Sequence, residues 1–343
     1  MSVLALETKL LELLEQAYHL TTMNIKAVKL GRVYEIRALG SEQTYIVKFF
    51  PSEENLLWQA KCLEHFLQRG MTGIVPFIPN ENEAYCTPFN QQFIAVAPKV
   101  EGRPVNPAQM DEVMDGIELL ADFHKQAKVT PVSPIAPKMS SLENQWVHRV
   151  TQANKFLESN EGRDGFVKDL IPYVEEALAW GTWVLQCVPS HNLRGVEAEA
   201  SRKGQVAHLD VLTPNLLVQR HRHYYLIDYD RMANATELLD IAQYMTSILD
   251  HYGWCKDIAD AFVSRYMSIN PLSVNQLIIL QLMLCFPHDI FREWKGLWNT
   301  HVTFHPQQLV EQSQQLYQNW EKRRLFVHQY QTQYLQHRFF LKR

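Results

Sequence analysis

Cysteine is scarce and unpaired in this sequence. Cys62, Cys86, Cys187, Cys255 and Cys285 are scattered, with no Cys-x-x-Cys pair. An odd number of widely spaced thiols gives neither a disulfide framework nor a zinc site, so buried, reduced cysteines are the expectation. Long apolar runs are missing too. No stretch approaches the roughly 18 uninterrupted apolar residues of a spanning helix, and no membrane span is expected. The first twenty residues place Glu7, Lys9, Glu12 and Glu15 among apolar positions. That is the pattern of an amphipathic helix, not of a secretory leader, and cytoplasmic synthesis is the expectation. There is no internal repeat and no low-complexity tract. Charge is nearly balanced: a net −4 is too small, and of the wrong sign, for nucleic acid to be a bulk electrostatic partner.

What is present is material for a packed core. Apolar residues make up 46%, with eight Trp and sixteen Phe, which is ample apolar surface to bury. At about 150 residues per domain, the length suggests two folding units. His221 and His223 flank Arg222 in a polar run between apolar strands, which reads as a solvated hairpin tip rather than a metal site.

After the first helix, residues 26–30, 33–37 and 45–50 read as strands. Gly31-Arg32 is expected as a two-residue turn and Gly40 as the second turn. Ser52 then opens a helix whose first turn holds Glu53 and Glu54, where the macrodipole favours carboxylates. Leu56, Leu57, Ala60, Leu63 and Leu67 keep a helical period, and Gly70 stops it. Residues 85–88 and 93–97 read as two more strands. Residues 98–104 break the pattern with two prolines and a glycine. Helices are expected over 107–128, 142–158 and 164–186, and repeatedly beyond residue 238. One strand pair, 216–219 and 224–227, interrupts them. The expected organisation is α+β: a β-rich lobe over 1–97 and a helical lobe over 98–343.

The informative stretch is His208-Leu-Asp210-Val-Leu-Thr-Pro-Asn215, followed by Tyr224-Tyr-Leu-Ile-Asp228-Tyr-Asp230. It sets an Asp on a loop, an Asn five residues on, and another Asp at the end of a β-ribbon. Phosphoryl transfer needs those parts: a carboxylate for the attacking hydroxyl, and an amide oxygen with a second carboxylate for magnesium. The competing reading makes all three residues caps of loops and strand ends.

These residues resemble the catalytic and metal-binding loops of aminoglycoside phosphotransferases and choline kinases. Further matches follow in the same order. Lys48 lies in Tyr-Ile-Val-Lys-Phe-Phe, residues 100–104 read Val-Glu-Gly-Arg-Pro, 120–124 read Leu-Ala-Asp-Phe-His, and Asp240 lies in Leu-Leu-Asp-Ile-Ala. The resemblance implies a bilobed, protein-kinase-like fold using ATP and magnesium on a small hydroxyl-bearing molecule. It assigns Asp210 as catalytic, Asn215 and Asp228 as metal ligands, and Lys48, Gln59 and Glu101 to the nucleotide. His208 and Asp240 become structural supports of the loop.

Within that superfamily the overall texture is similar to the CotS-related spore coat proteins, in particular the YutH type of endospore-forming bacteria. This implies synthesis in the mother cell, deposition in the spore coat and coat proteins as partners. Two departures bear on activity. Gln59 stands where a glutamate partner of Lys48 is expected, and an amide offers no countercharge. The 30–33 turn is also too short for a phosphate-covering loop. The expectation is therefore a kinase-like coat protein with weak or lost catalysis, with a working phosphotransferase as the alternative. The tail carries Lys322, Arg323, Arg324, Arg338, Lys342 and Arg343, with Phe326, Tyr330 and Tyr334 on one helix face. It reads either as a packed final helix or as a basic docking helix.

Overall fold

The computed structural model describes residues 3–128, 130, 136–137, 139–159, 166–294 and 306–341. The chain divides into two compact units, each assembled from separated segments. The first takes Met1–Asn106, Asp111–Pro137 and Lys203–Asn234, and the second takes the rest.

In the first unit, helix α1 (Val3–Tyr18) precedes a hairpin of β1 (Thr22–Lys29) and β2 (Val33–Ala38), then β3 (Thr44–Phe50). Helix α2 (Glu53–Gln68) leads to β4 (Thr87–Phe89) and β5 (Gln92–Pro98). The strands form one antiparallel sheet in the order β1-β2-β3-β5-β4. Leu10, Leu14 and Tyr18 of α1 pack with Tyr34, Ile36, Val47, Ile94 and Val96 of the sheet. Ser52 caps α2 by accepting from the Asn55 amide at 3.3 Å, and Gly70 leaves it at φ +83°, as the sequence expects.

The first turn differs from expectation. Three residues, 30–32, close the hairpin, with Gly31 at φ +69° and a register shift between Ala27 and Lys29. A glycine in the left-handed region of a three-residue loop supplies the twist that a bulged hairpin needs.

The unit is completed by α3 (Met110–Ala127) and by short strands that the sequence signals only in part. Strands β6 (Arg103–Pro104), β8 (Leu216–Val218) and β9 (Tyr224–Leu226) make a three-stranded sheet, while β7 (Val206–Ala207) pairs with β10 (Ala233–Asn234). The β8–β9 tip, with His221 and His223, is exposed. Gly73 sits at φ +77°, and its carbonyl accepts from the Leu226 amide at 2.8 Å. A Cβ there would lie 2.5 Å from the Tyr224 carbonyl oxygen and 2.7 Å from Leu119. Gly73→Ala is therefore expected to cost roughly 2–3 kcal/mol of stability in urea unfolding. An unchanged midpoint would show that the 73–75 segment moves freely.

The second unit is helical: α4 (Leu142–Glu158), α5 (Phe166–Cys187), α6 (Leu193–Lys203), α7 (Leu238–Tyr252), α8 (Lys256–Met267), α9 (Val274–Cys285), α10 (His288–Glu293) and a final helix, Pro306–Leu341. Aromatic rings bind these helices together. Trp146 stacks on Phe286 at 4.4 Å, and Trp320 of the final helix stacks on Trp180 at 5.2 Å. Phe326 and Tyr330 are buried, so this part of the tail packs on its own unit. Trp298 and the side chains of Arg338, Phe340, Lys342 and Arg343 lie outside the described residues. Among the described residues, no helix is long and apolar enough to cross a membrane.

Candidate active site

The site is built from two loops and one strand of the first unit. The 208–215 loop starts where β7 ends. His208 is fully buried; its Nε2 donates to the Ile227 carbonyl at 3.0 Å, and its Nδ1 accepts the Asp210 amide at 3.2 Å. One nitrogen meets an acceptor and the other a donor, so the imidazole is neutral with its proton on Nε2. Rings of Phe123 and Tyr229 flank it edge-on at 6.4 and 5.4 Å. Leu209 is held at φ +63°, and a short turn over Thr213–Asn215 follows.

That turn swings Asn215 back onto Asp210. The Asn215 Nδ2 donates to the Asp210 carbonyl at 2.9 Å and to its Oδ2 at 3.0 Å. Both acceptors are oxygens, so the amide nitrogen must face Asp210 and the Asn215 Oδ1 is turned away from it. The other Asp210 oxygen has Arg231 Nη1 at 3.8 Å.

Asp228 follows β9 in a left-handed conformation, φ +68° and ψ +68°. Asp tolerates this region better than most residues, but at a cost that local structure must offset. Tyr229, buried beside it, does so: its hydroxyl donates to the Leu226 carbonyl and accepts the Val75 amide at 3.3 Å. Lys48 approaches from the centre of β3, between Val33 of β2 and Ala95 of β5. Its ammonium donates to Asp228 Oδ1 and, at 2.8 Å, to Asp230 Oδ1. Lys48 is 18% exposed, while Asp228 and Asp230 are 40% and 50% exposed. Burial disfavours the Lys48 charge, but attraction to Asp230 and then Asp228 outweighs it, and its pKa stands above the ordinary lysine value. Burial also opposes ionised Asp228, yet the Lys48 charge and hydrogen bond hold its carboxyl below the usual range.

Lys48, His208, Asp210, Asn215 and Asp228 thus share one unit, with Lys48 meeting Asp228, His208 meeting Asp210, and Asn215 meeting Asp210. Gln59 is buried on α2 at 3% exposure, and its Oε1 has no hydrogen-bond partner. The partner that the sequence offers Lys48 at that position is replaced by Asp228 and Asp230, because a carboxylate outcompetes a neutral amide for an ammonium. Glu101 is exposed and pairs with Lys99 at 3.4 Å. Asp240 is buried on α7 of the second unit. Sequence reasoning assigned no role to Asp230, Tyr229 or Arg231. The spacing of two aspartates in Asp228-Tyr-Asp230 was the available signal for the first.

Asp228, Asp230 and the free Asn215 oxygen are hard donors of the kind magnesium takes in small number, leaving its other positions to phosphates and water. The two carboxylates already hold one cation, the Lys48 ammonium. Among the described residues, no three His, Cys, Asp or Glu side chains form a metal cluster of their own. A metal here would rely on oxygens that a nucleotide brings.

No protein-family model and no curated sequence matches the chain. Solved structures do. An aminoglycoside phosphotransferase from Alicyclobacillus acidocaldarius aligns with a TM-score of 0.79 at 20% identity, over 91% of this chain and 92% of that one. Spectinomycin phosphotransferase, in complex with ADP and spectinomycin, aligns at 0.62 and 14% identity, over 88% and 92%. A microcompartment-associated aminopropanol kinase aligns at 0.58 and 12%, over 95% and 98%. The chain has the aminoglycoside-phosphotransferase, kinase-like fold, with a β-sheet N-terminal region and a mostly helical remainder. At these identities the likeness is one of fold.

Proposed function

We propose that this chain is a phosphotransferase that moves a phosphoryl group from ATP to a hydroxyl of a small molecule. One observation carries the reading: a strand lysine, bound to a pair of aspartates, shares a unit with an aspartate clasped by an asparagine. Those are the charges that phosphoryl transfer requires. The Asp210 carboxylate takes the proton of the attacking hydroxyl as its oxygen bonds to phosphorus and the bond to the ADP oxygen breaks. Asn215 orients Asp210 through Oδ2, and the His208 ring fixes the backbone on which Asp210 sits. Lys48 binds the phosphates. Asn215 Oδ1 and Asp228 would hold magnesium, which when bound neutralises phosphate charge. The neighbours act on aminoglycosides and an amino alcohol; a small hydroxyl-bearing acceptor is the shared chemistry carried over here.

A second reading, a kinase-like protein with weak or lost catalysis deposited in a spore coat, is favoured by Gln59. That neutral, buried side chain gives Lys48 no partner of its own. The coat location rests on sequence resemblance and is tested by imaging a fluorescent fusion in sporulating cells. Calorimetry with magnesium and a non-hydrolysable ATP analogue tests the phosphotransferase reading. Binding is expected, and Lys48→Ala is expected to weaken it about tenfold or more, through loss of a charge-assisted hydrogen bond. A protein that binds no nucleotide with or without magnesium would sink the phosphotransferase reading and leave the structural one.

A further inference from the structure

The Lys48 ammonium is committed to the carboxylates that the phosphotransferase reading needs for metal. It hydrogen-bonds both Asp228 and Asp230, and among the described residues these are its ion-pair partners. Among the described residues Lys48 has no other ion-pair partner: Gln59 is neutral, and Glu35 and Glu101 of the sheet pair with Lys99. Magnesium sits about 2.0–2.1 Å from a carboxylate oxygen. At that range it repels an ammonium bound to the same oxygens, so the two cannot share them.

We propose that Lys48 is the resting counter-cation of the Asp228–Asp230 pair, and that a divalent cation and Lys48 exclude one another there. The proposal rests on the phosphotransferase reading and adds a closed state to it. Metal arrival releases Lys48, and the released ammonium needs a new anion. A nucleotide phosphate supplies one, so metal and nucleotide each strengthen the binding of the other by the same factor. Without a phosphate, the metal must break two ion pairs and leave Lys48 without a carboxylate. Metal alone is therefore held weakly.

The test uses the full chain and free Mn²⁺ as the probe, without nucleotide. Mn²⁺ binding is measured by electron paramagnetic resonance for the wild type and for Lys48→Met. The variant removes the competing cation and is expected to bind Mn²⁺ about tenfold tighter or more. In the wild type, Mn²⁺ is expected to raise the rate at which acetic anhydride labels Lys48, read by mass spectrometry, which needs no variant to fold. Equal or weaker Mn²⁺ binding by Lys48→Met, or labelling that Mn²⁺ leaves unchanged at saturation, overturns the proposal. If that result comes with magnesium-dependent nucleotide binding by the wild type, the phosphotransferase reading stands and the closed state alone is lost. No metal binding by either protein, with or without nucleotide, defeats both.

Discussion

Replacing Asp210 by asparagine is expected to lower phosphoryl turnover by about 10²–10⁴-fold, the usual contribution of a positioned general base, while nucleotide affinity holds. The substitution keeps the shape of the side chain and an oxygen for the Asn215 amide, which now donates to Asp210 Oδ2 at 3.0 Å. What it removes is the ability to accept a proton. Lys48, Asp228 and Asp230 are untouched, so the charges that would face the nucleotide remain. ADP release measures the first effect and calorimetry the second. If Asp210→Asn keeps full turnover while Asp228→Asn loses it, Asp210 is a loop cap and the base lies elsewhere. If nucleotide affinity falls with turnover, the 208–215 loop has refolded and the comparison must rest on Asp210→Glu.

The second large effect is expected in the helical unit. Arg323 of the final helix is 3% exposed and holds Asp289 with two hydrogen bonds of 2.6 and 2.7 Å. Its guanidinium carbon also lies 4.0 Å from the centre of the Trp254 ring. Removing one partner of a buried pair strands the other, at about 3–5 kcal/mol. Arg323→Met should lose that much stability at pH 7 by urea unfolding. Asp250, which accepts from Trp254 Nε1 at 2.7 Å, shares the pocket. Burial and the neighbouring Asp289 push its carboxyl from the ordinary 3.8 up to about 6. A carboxyl raised on folding contributes stability that is present below its unfolded pKa and lost as pH rises through the folded one. Asp250→Asn keeps the Trp254 bond, so it should stabilise the protein by up to ~3 kcal/mol above pH 6 and by nothing near pH 4. Asp289 runs the other way: burial works against its charge, but Arg323 holds its carboxyl low, and that contribution fades as pH falls. The Arg323→Met deficit should accordingly shrink in acid. Two variants shifting stability in the same direction at pH 7 would refute this account of the cluster.

What the sequence determined by itself about this protein is what neighbours along the chain decide. The cap of α2, with Ser52, Glu53 and Gly70, follows from groups three or four residues apart. Asp210 and Asn215 were legible as candidate site residues from their five-residue spacing across a prolyl turn, but not the hydrogen bonds by which Asn215 clasps Asp210. The strand carrying Lys48 showed as an apolar run, and the aromatic face of Phe326 and Tyr330 showed as a helical period.

Tertiary structure alone decided the remainder, because those choices turn on which distant charges meet and how dry the meeting place is. Lys48 and Asp228 are 180 residues apart, and no local pattern states that Asp230 joins them while Gln59 is left with a buried, unpartnered oxygen. The two-residue strands β6, β7 and β10 carry too little periodicity to show as strands; they exist because the fold pairs β6 with β8 and β7 with β10. Arg323 looked like one of several basic residues in a tail. Only the fold buries it against Asp289 and Trp254, where the loss of water turns an ordinary arginine into a group the unit cannot spare.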